Sequence, residues 1–428
     1  MKNTSTVRYL ALYNIFISFA ITITANFTFT DRLLLRMNID LVLFGTLKSF
    51  IFLMPAILYQ LFSPLLEGKI SDTKLCMLSY LLRNIFPCFL PFIVLFTNDT
   101  TILTICSIIL LPLGMTAATF ANNSLMKIYR AIIPENKFNY HIGSFYMMLS
   151  IPASLSGFPI AVLLDKIETF SGNTFFIVFG ILQIITTLFE IPAIYYMRKI
   201  KTPADRKRKP DQKTVFSISN IIAPYKIPVF RTLMSVISLH RFGNGLLLAY
   251  LTVYLLEVMK FSMTMIISIT TIISITTCLL QPVNGKIMDK YGYAKTFSVL
   301  TACMLAGLLL FCIAWKSVLF LPFFAIMTWN ASESILPSML SNGEFAAATQ
   351  FVPQNMLNSA ISAYTIINNL AIAIGLCGAS VFYSFAKNLS SGSHDSIMHI
   401  YYILTLPVFI LLFISTLHLK KLLKSKKA

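Results

Sequence analysis

The chain is a succession of apolar runs of about 20 residues, separated by short segments rich in charge, proline or asparagine. A helix of that length crosses a hydrocarbon core roughly 30 Å thick. The runs are too long for the strands of a membrane barrel and lack their strict alternation. We therefore expect twelve transmembrane helices, at 9–30, 41–63, 75–97, 101–126, 140–163, 173–197, 229–256, 263–283, 296–315, 317–340, 355–385 and 397–419.

Composition agrees with this pattern. Hydrophobic residues make up 57% of the chain and charged residues only 12%, whereas soluble domains carry roughly 25% charged residues. The predicted fold is an all-α polytopic membrane protein built from two six-helix bundles. We expect an N-terminal bundle at 1–197, a cytoplasmic central loop at 198–228, a C-terminal bundle at 229–419 and a basic cytoplasmic tail at 420–428.

The distribution of lysine and arginine predicts the orientation. If the N-terminus is cytoplasmic, 25 basic residues fall in inside segments, 6 in outside loops and 3 within spans. Inside loops of membrane proteins are enriched in basic residues, so we expect both termini to be cytoplasmic. We see no cleavable signal peptide, and the first span is expected to remain as an anchor. The expected location is the inner (plasma) membrane of the cell.

The net charge of +18 is concentrated in two segments, "RKIKTPADRKRKPDQK" (198–213) and "KKLLKSKKA" (420–428). A basic chain can indicate a nucleic-acid partner. Here both segments follow predicted membrane helices, where they set topology and attract anionic lipid headgroups. We therefore expect membrane lipid as a partner and no nucleic acid.

Chemistry-bearing motifs are missing from the sequence. It has no GxSxG, Walker or HExxH pattern, and no soluble segment large enough for catalysis. The seven cysteines are scattered in or at the ends of predicted spans, without CxxC or Cys/His spacing. We expect no enzyme activity, cofactor, metal site or disulfide, and we interpret the cysteines as apolar packing residues.

One short polar segment occurs once in each half. "GKISD" (68–72) and "GKIMD" (285–289) each follow the second span of their half, so Gly285 lies 217 residues after Gly68. Pro134 and Pro353 are 219 apart, and two further glycines, Gly157 and Gly375, are 218 apart. Three landmarks at nearly one offset indicate duplicated halves.

The second copy carries a family resemblance. "GKIMDKYGYAK" (285–295) resembles the loop signature of the major facilitator superfamily, roughly G-x-x-x-D-R-x-G-R-R/K, with Gly285, Asp289, Lys290, Gly292 and Lys295 at its positions. The first copy keeps Gly68 and Asp72 but loses the second glycine and most basic residues. Span count, inside termini, basic central loop and repeat extend the resemblance over essentially the whole chain.

The resemblance implies that these segments close the cytoplasmic side. Glycine permits close helix approach, aspartate is favoured at a helix N-terminus, and a neighbouring cation can pair across the interface between halves. We expect a cytoplasmic gate, with tight-turn residues as the alternative reading. Its residues are Gly68, Asp72, Gly285, Asp289, Lys290 and Gly292.

The resemblance also implies alternating access around a site near the midplane, lined by the first, fourth, seventh and tenth helices. Polar groups on these helices are candidates because burying them in hydrocarbon is costly. The expected substrate-binding residues are Asn26, Asn122, His240, Arg241, Asn244, Trp329 and Asn330.

Arg241 and Glu333 leave two readings open. Arg241 either binds an anionic or hydrogen-bonding solute or pairs permanently with Glu333. Glu333 is either a proton carrier or part of a structural ion pair or gate.

Three functions remain at this point. The first is a secondary transporter of a small polar or amphipathic solute, working as a monomer by rocker-switch alternating access. The second is an importer of a sugar or organic anion, favoured if Arg241 faces the cavity unpaired. The third is a non-transporting receptor or lipid-handling protein. A coupling proton is expected as a possible further partner.

Overall fold

A computed structural model describes residues 4–25, 27–39, 41–66, 69–133, 138–167, 173–200, 222–255, 261–313, 336–353, 356–390 and 394–425. The described chain is helical, apart from short connections. Its α-helices are α1 (Thr4–Ala20), α2 (Thr22–Ala25), α3 (Phe27–Arg36), α4 (Leu41–Leu66), α5 (Asp72–Ile93), α6 (Thr100–Ile132), α7 (Phe138–Ile167), α8 (Asn173–Leu188), α9 (Glu190–Arg198), α10 (Pro228–Val253), α11 (Met263–Tyr291), α12 (Tyr293–Ile313), α13 (Leu336–Gln350), α14 (Leu357–Leu389) and α15 (His394–Ser425).

Nine helical segments within those ranges are long and apolar enough to cross a membrane. The contacts divide the chain into two compact units. The first contains residues 1–216 and 262–271, and the second contains 217–261 and 272–428. The division after residue 216 falls inside the predicted central loop, of which 201–221 lies outside the described residues.

The first predicted span is broken rather than continuous. A turn at Ile21 separates α1 from α2, and α3 runs on to Arg36, beyond the predicted end at 30. The Thr22 hydroxyl donates to the Ser18 carbonyl at 3.2 Å. A threonine that bonds back to its own helix competes with the backbone and often bends the helix, and this bond lies beside an interruption that hydropathy does not detect.

The sixth predicted span is also divided, at Phe189 between α8 and α9. Two successive hydroxyls, of Thr186 and Thr187, donate to the Gln183 carbonyl at 3.0 and 2.7 Å. The same competition for a helical carbonyl therefore precedes both breaks. Glu190, a buried carboxylate, is the first residue after the second break.

Several predicted ends are wrong because polar residues continue the helices. The eighth helix was expected to end at 283, but α11 continues through "GKIMD" to Tyr291. The last helix was expected to end at 419, but α15 continues to Ser425, so most of the predicted tail is helical. Lysine is a good helix former and is favoured at a helix C-terminus. Of the tenth predicted span, 317–335 lies outside the described residues.

The core of each unit is closed by buried aromatic rings. In the first unit Tyr129 stacks on Phe145 with ring centroids 5.0 Å apart. In the second, Phe311 meets Tyr402 edge-on at 5.2 Å. Such ring pairs stabilise a core by more than the burial of their surface area alone would. They also help to fix the positions of the helices that carry the polar side chains.

The closest helix crossing in the second unit joins α10 to α14. A Cβ on Gly245 would lie 2.4 Å from the Ile372 carbonyl oxygen, and one on Gly375 would lie 2.3 Å from that of Phe242. Only glycine allows backbones to approach this closely. The crossing places the polar stretch 240–244 of α10 beside α14.

Candidate solute-binding site

The second unit contains a buried polar cluster centred on Glu344 of α13. Its carboxylate oxygens face two side chains of α10: Oε1 lies 2.8 Å from His240 Nδ1, and Oε2 accepts from Arg241 Nη2 at 3.2 Å. His240 and Glu344 are both 0% exposed. A carboxylate buried this deeply is tolerated when a cation and hydrogen bonds compensate it, and here adjacent residues of one helix provide both.

Asn244 extends the cluster along α10. It follows His240 by one helical turn, so the two side chains share a face, and its Nδ2 lies 3.2 Å from His240 Nε2. One tautomer satisfies both ring contacts: Nδ1–H donates to Glu344, and Nε2 accepts from the Asn244 amide. Among the described residues Asn244 Oδ1, which is buried, has no hydrogen-bond partner, and this leaves an acceptor at the edge of the cluster.

Arg241 is the member of the cluster nearest the surface, with 16% of its side chain exposed. Besides Glu344, its Nη2 donates to the Tyr364 hydroxyl of α14 at 3.4 Å. Its Nε is buried and, within the part of the chain that the structure describes, has no hydrogen-bond partner. The guanidinium is therefore neutralised by one carboxylate but still offers a donor, and with Asn244 Oδ1 it supplies the donor and acceptor that a polar solute needs.

The structure brings three predicted site residues together, His240, Arg241 and Asn244. Asn26, Trp329, Asn330 and Glu333 lie outside the described residues. Arg241 pairs with Glu344. The reading in which Arg241 pairs with Glu333 stays untested, because Glu333 is outside the described ranges.

Glu344 was missed because the tenth span was expected to end at 340, whereas α13 continues to Gln350. The signal that could have found it is a single charge within "SNGEFAAATQ", a run of small residues that suits a packed helix.

Asn122 belongs to the first unit. It is exposed on α6, and its Oδ1 accepts from the Tyr80 hydroxyl of α5 at 2.9 Å. Its neighbour Asn123 is buried. Asn122 thus presents an amide on the surface of the first unit, held in place by a bond to a neighbouring helix.

The first unit has its own buried polar chain. The Thr24 hydroxyl donates to Asn84 Oδ1 at 2.6 Å, and Asn84 Nδ2 donates to Glu190 Oε1 at 2.5 Å. Glu190 Oε2 and the adjacent Arg83 Nε are buried and have no hydrogen-bond partner in the described ranges. A cavity of about 30 Å³ borders Thr24, Arg83 and Gln183, which is enough for a water molecule.

The two gate segments differ in structure. Asp72 is the first residue of α5, as expected for an acid at a helix N-terminus, with Ser71 accepting from Lys74 N at 3.4 Å. Gly68 lies outside the described residues. Asp289 contradicts the expectation: it lies in the last turn of α11, because the helix passes through the buried Gly285 without interruption.

Gly292, rather than Gly285, makes the turn between α11 and α12. Its φ of +81° is a left-handed conformation that favours glycine. Its N–H donates to the Met288 carbonyl at 2.9 Å, which closes α11. The second glycine of the signature therefore has a backbone reason, and Lys290 lies in the last helical turn, where a cation is favoured.

Several helices are long enough to cross a membrane, and charged side chains neutralise each other inside a helical bundle. These two features define a polytopic membrane protein with an internal polar site. The profile of the Major Facilitator Superfamily matches residues 6–376. The chain therefore belongs to the Major Facilitator Superfamily, and the expected fold is confirmed. No curated protein sequence matches the chain.

Solved structures of transporters share this fold at low sequence identity. The nucleoside transporter NupG matches with a TM-score of 0.66 and 11% identity, over 97% of this chain and 100% of that one. The E. coli fucose:proton symporter FucP gives 0.62 and 13%, over 97% and 99%. A bacterial homologue of the iron transporter ferroportin gives 0.64 and 12%, over 97% and 99%.

Proposed function

We propose that this protein is a secondary transporter that moves a small polar or amphipathic solute by rocker-switch alternating access. The observation that carries the proposal is the polar cluster of His240, Arg241, Asn244, Glu344 and Tyr364 on α10, α13 and α14. Three of its members, His240, Asn244 and Glu344, are buried. Ionisable side chains at such depth are costly and are typical of substrate and ion pathways. In this proposal Arg241 Nε donates to the solute and Asn244 Oδ1 accepts from it.

The pairing of Arg241 favours an uncharged solute. Glu344 already neutralises the guanidinium, so an organic anion would have to displace a buried carboxylate. A hydroxylated solute needs only the donor and acceptor that remain without partners. A sugar is one solute that suits this site, but the pairing of Arg241 does not favour the importer reading, which required that arginine to be unpaired. An organic anion is the second candidate, supported by the buried Nε alone.

We infer that a proton is the coupling ion. His240 and Glu344 form a hydrogen-bonded pair of titratable groups, 2.8 Å apart, and a proton can move between such groups. Arg241, Asn244 and Tyr364 are the polar groups that face this pair from α10 and α14. Glu333 stays a prediction as an alternative proton carrier.

The cytoplasmic gate is proposed at the charged residues Asp72, Asp289 and Lys290, together with the glycines Gly68, Gly285 and Gly292. Each of these charges lies in a terminal turn of a long helix. A small rotation of either bundle would displace such a terminus. The proposal keeps both termini and both gate segments on the cytoplasmic side, in agreement with the distribution of basic residues.

Flux measurements test the proposal. The protein is reconstituted in proteoliposomes, and uptake of uridine, L-fucose and succinate is measured separately, with and without an imposed proton gradient. We expect saturable uptake of one neutral compound that Arg241→Ala abolishes and a protonophore reduces. Saturable succinate uptake would identify the organic-anion importer. A probe that binds the protein without flux would favour a receptor.

A further inference from the structure

An apolar groove of about 310 Å³ lies between α11 and α12 of the second unit. Its walls are the side chains of Leu280, Val283 and Ile287 from α11 and of Val299 and Leu300 from α12. Val283 and Val299 are about half exposed, at 49% and 56%. The groove runs towards the turn at Gly292, where both helices end.

Two lysines meet one aromatic ring at that end of the groove. Lys290 Nζ lies 5.2 Å and Lys295 Nζ 4.8 Å from the centroid of the Tyr291 ring. Tyr291 and Lys295 are themselves part of the groove wall. Two ammonium groups this close to one ring are near enough to repel each other, and an anion that binds beside both relieves that repulsion.

The net charge of the side chains around this end of the groove is positive. Lys286 and Asp289 are also exposed in the last turns of α11. The three lysines Lys286, Lys290 and Lys295 and the one aspartate, Asp289, give a net charge of +2 beside the apolar groove. That combination complements one amphipathic molecule with an anionic head.

We propose that this groove binds an anionic phospholipid, with one acyl chain along Val283, Ile287 and Val299 and the phosphate between Lys290 and Lys295. The ends of a membrane helix lie at the level of the lipid headgroups. The headgroup of a lipid can therefore contact the lysines while its acyl chain lies in the groove. A zwitterionic lipid fits less well because its ammonium group faces the same lysines. The site is independent of the solute-binding cluster on α10, α13 and α14.

Thermal unfolding tests the site directly. The melting temperature of the delipidated full-length protein in detergent is titrated with phosphatidylglycerol, with phosphatidylcholine of the same chains, and with inorganic phosphate. The variants are Lys290→Gln/Lys295→Gln, which removes the charges, and Val299→Trp, which fills the groove from an exposed position. Lys387→Gln, an exposed lysine at the end of α14, is the matched control.

We expect phosphatidylglycerol to raise the melting temperature saturably in the wild type and in Lys387→Gln. The double lysine variant should bind about thirty-fold more weakly, from the loss of two surface cation–lipid attractions. Val299→Trp should lose the saturable shift while keeping its lysines. Equal shifts with phosphatidylcholine, or a shift with inorganic phosphate alone, would overturn the proposal. So would an unchanged affinity in the double variant, provided its melting temperature without lipid matches the control.

Discussion

The two units join corresponding helices by different means. In the first unit α1 and α2 meet α7 through hydroxyls: Thr22 Oγ1 of α2 lies 2.7 Å from Ser156 Oγ, and Ser18 of α1 donates to the Leu149 carbonyl. A Cβ on Gly157 would meet nothing closer than 3.8 Å. In the second unit α10 meets α14 at Gly245 and Gly375, where a Cβ would overlap backbone at 2.3–2.4 Å.

This contrast shows what a sequence repeat preserves. Gly157 and Gly375 occupy matching positions in the two halves, yet only Gly375 is required by its surroundings. At these crossings a hydroxyl pair keeps α2 and α7 slightly apart, whereas glycines let α10 and α14 touch. The repeat therefore predicts which helices pair but not what holds them together.

The buried carboxylates of the two units also differ, in the charged groups that face them. Glu344 faces an arginine and a histidine. Glu190 accepts one bond from Asn84 and, among the described residues, has no ion pair. Replacing a carboxylate is costly when a buried cation is left behind and much less so otherwise. The predictions below use this difference, from the largest expected effect to the smallest.

Glu344→Gln should have the largest effect. It leaves Arg241 as a buried cation without a counter-charge, which costs about 3–5 kcal/mol. Thermal unfolding in detergent should show a large drop in melting temperature. The double variant Arg241→Gln/Glu344→Gln should recover much of this loss, because no charge is left uncompensated. A double variant no more stable than Glu344→Gln would contradict the ion-pair explanation.

Gly375→Ala and Gly157→Ala form the second test. The methyl group at 375 meets a carbonyl oxygen and must push α14 away from α10, whereas the one at 157 enters ordinary contact. We expect a loss of about 1–3 kcal/mol for Gly375→Ala and little change for Gly157→Ala. The comparison fails if both variants melt at the same temperature.

Tyr364→Phe should have an intermediate effect. It removes the hydroxyl that accepts from Arg241 Nη2 and keeps the ring that packs edge-on against Phe345. Because Arg241 keeps Glu344, the expected loss of stability is about 1–2 kcal/mol. Phe345→Leu, which alters the ring contact alone, is the control. No change in melting temperature with Tyr364→Phe would mean that the 3.4 Å contact contributes nothing.

Glu190→Gln should have the smallest effect on stability. The amide oxygen of glutamine can still accept from Asn84, and no buried cation loses an ion pair. We expect a change below about 1 kcal/mol, measured by the same unfolding assay. A loss as large as that of Glu344→Gln would show that Arg83 depends on the Glu190 charge, and the contrast between the units would collapse.

Much of the fold could be predicted from the sequence because hydrocarbon thickness sets the length of a spanning helix. The breaks at Ile21 and Phe189 could not, since each predicted span continues across its break and hydroxyls that bond back to helical carbonyls lie beside both breaks without being confined to them. The continuation of α11 through Gly285 could not be predicted either. A single glycine lowers the stability of a helix only modestly, and tertiary packing can offset that cost.

The site was predicted in part. His240, Arg241 and Asn244 were found because charge and amides within an apolar run are conspicuous. Glu344 was missed because a hydropathy window ends at the first polar stretch, even where small residues let a helix continue into packed surroundings. Only the pairing of helices shows which carboxylate faces Arg241.

The most direct test of the central claim is saturable uptake in proteoliposomes, compared between wild type, Arg241→Ala and the conservative control Gly157→Ala. The account predicts that one neutral polar probe is transported by the wild type and by Gly157→Ala. Arg241→Ala should have a lower melting temperature, because Glu344 loses its arginine, and should lose uptake even below that temperature, where the protein is still folded. Uptake that persists unchanged in folded Arg241→Ala would contradict the assignment of the solute site to this cluster.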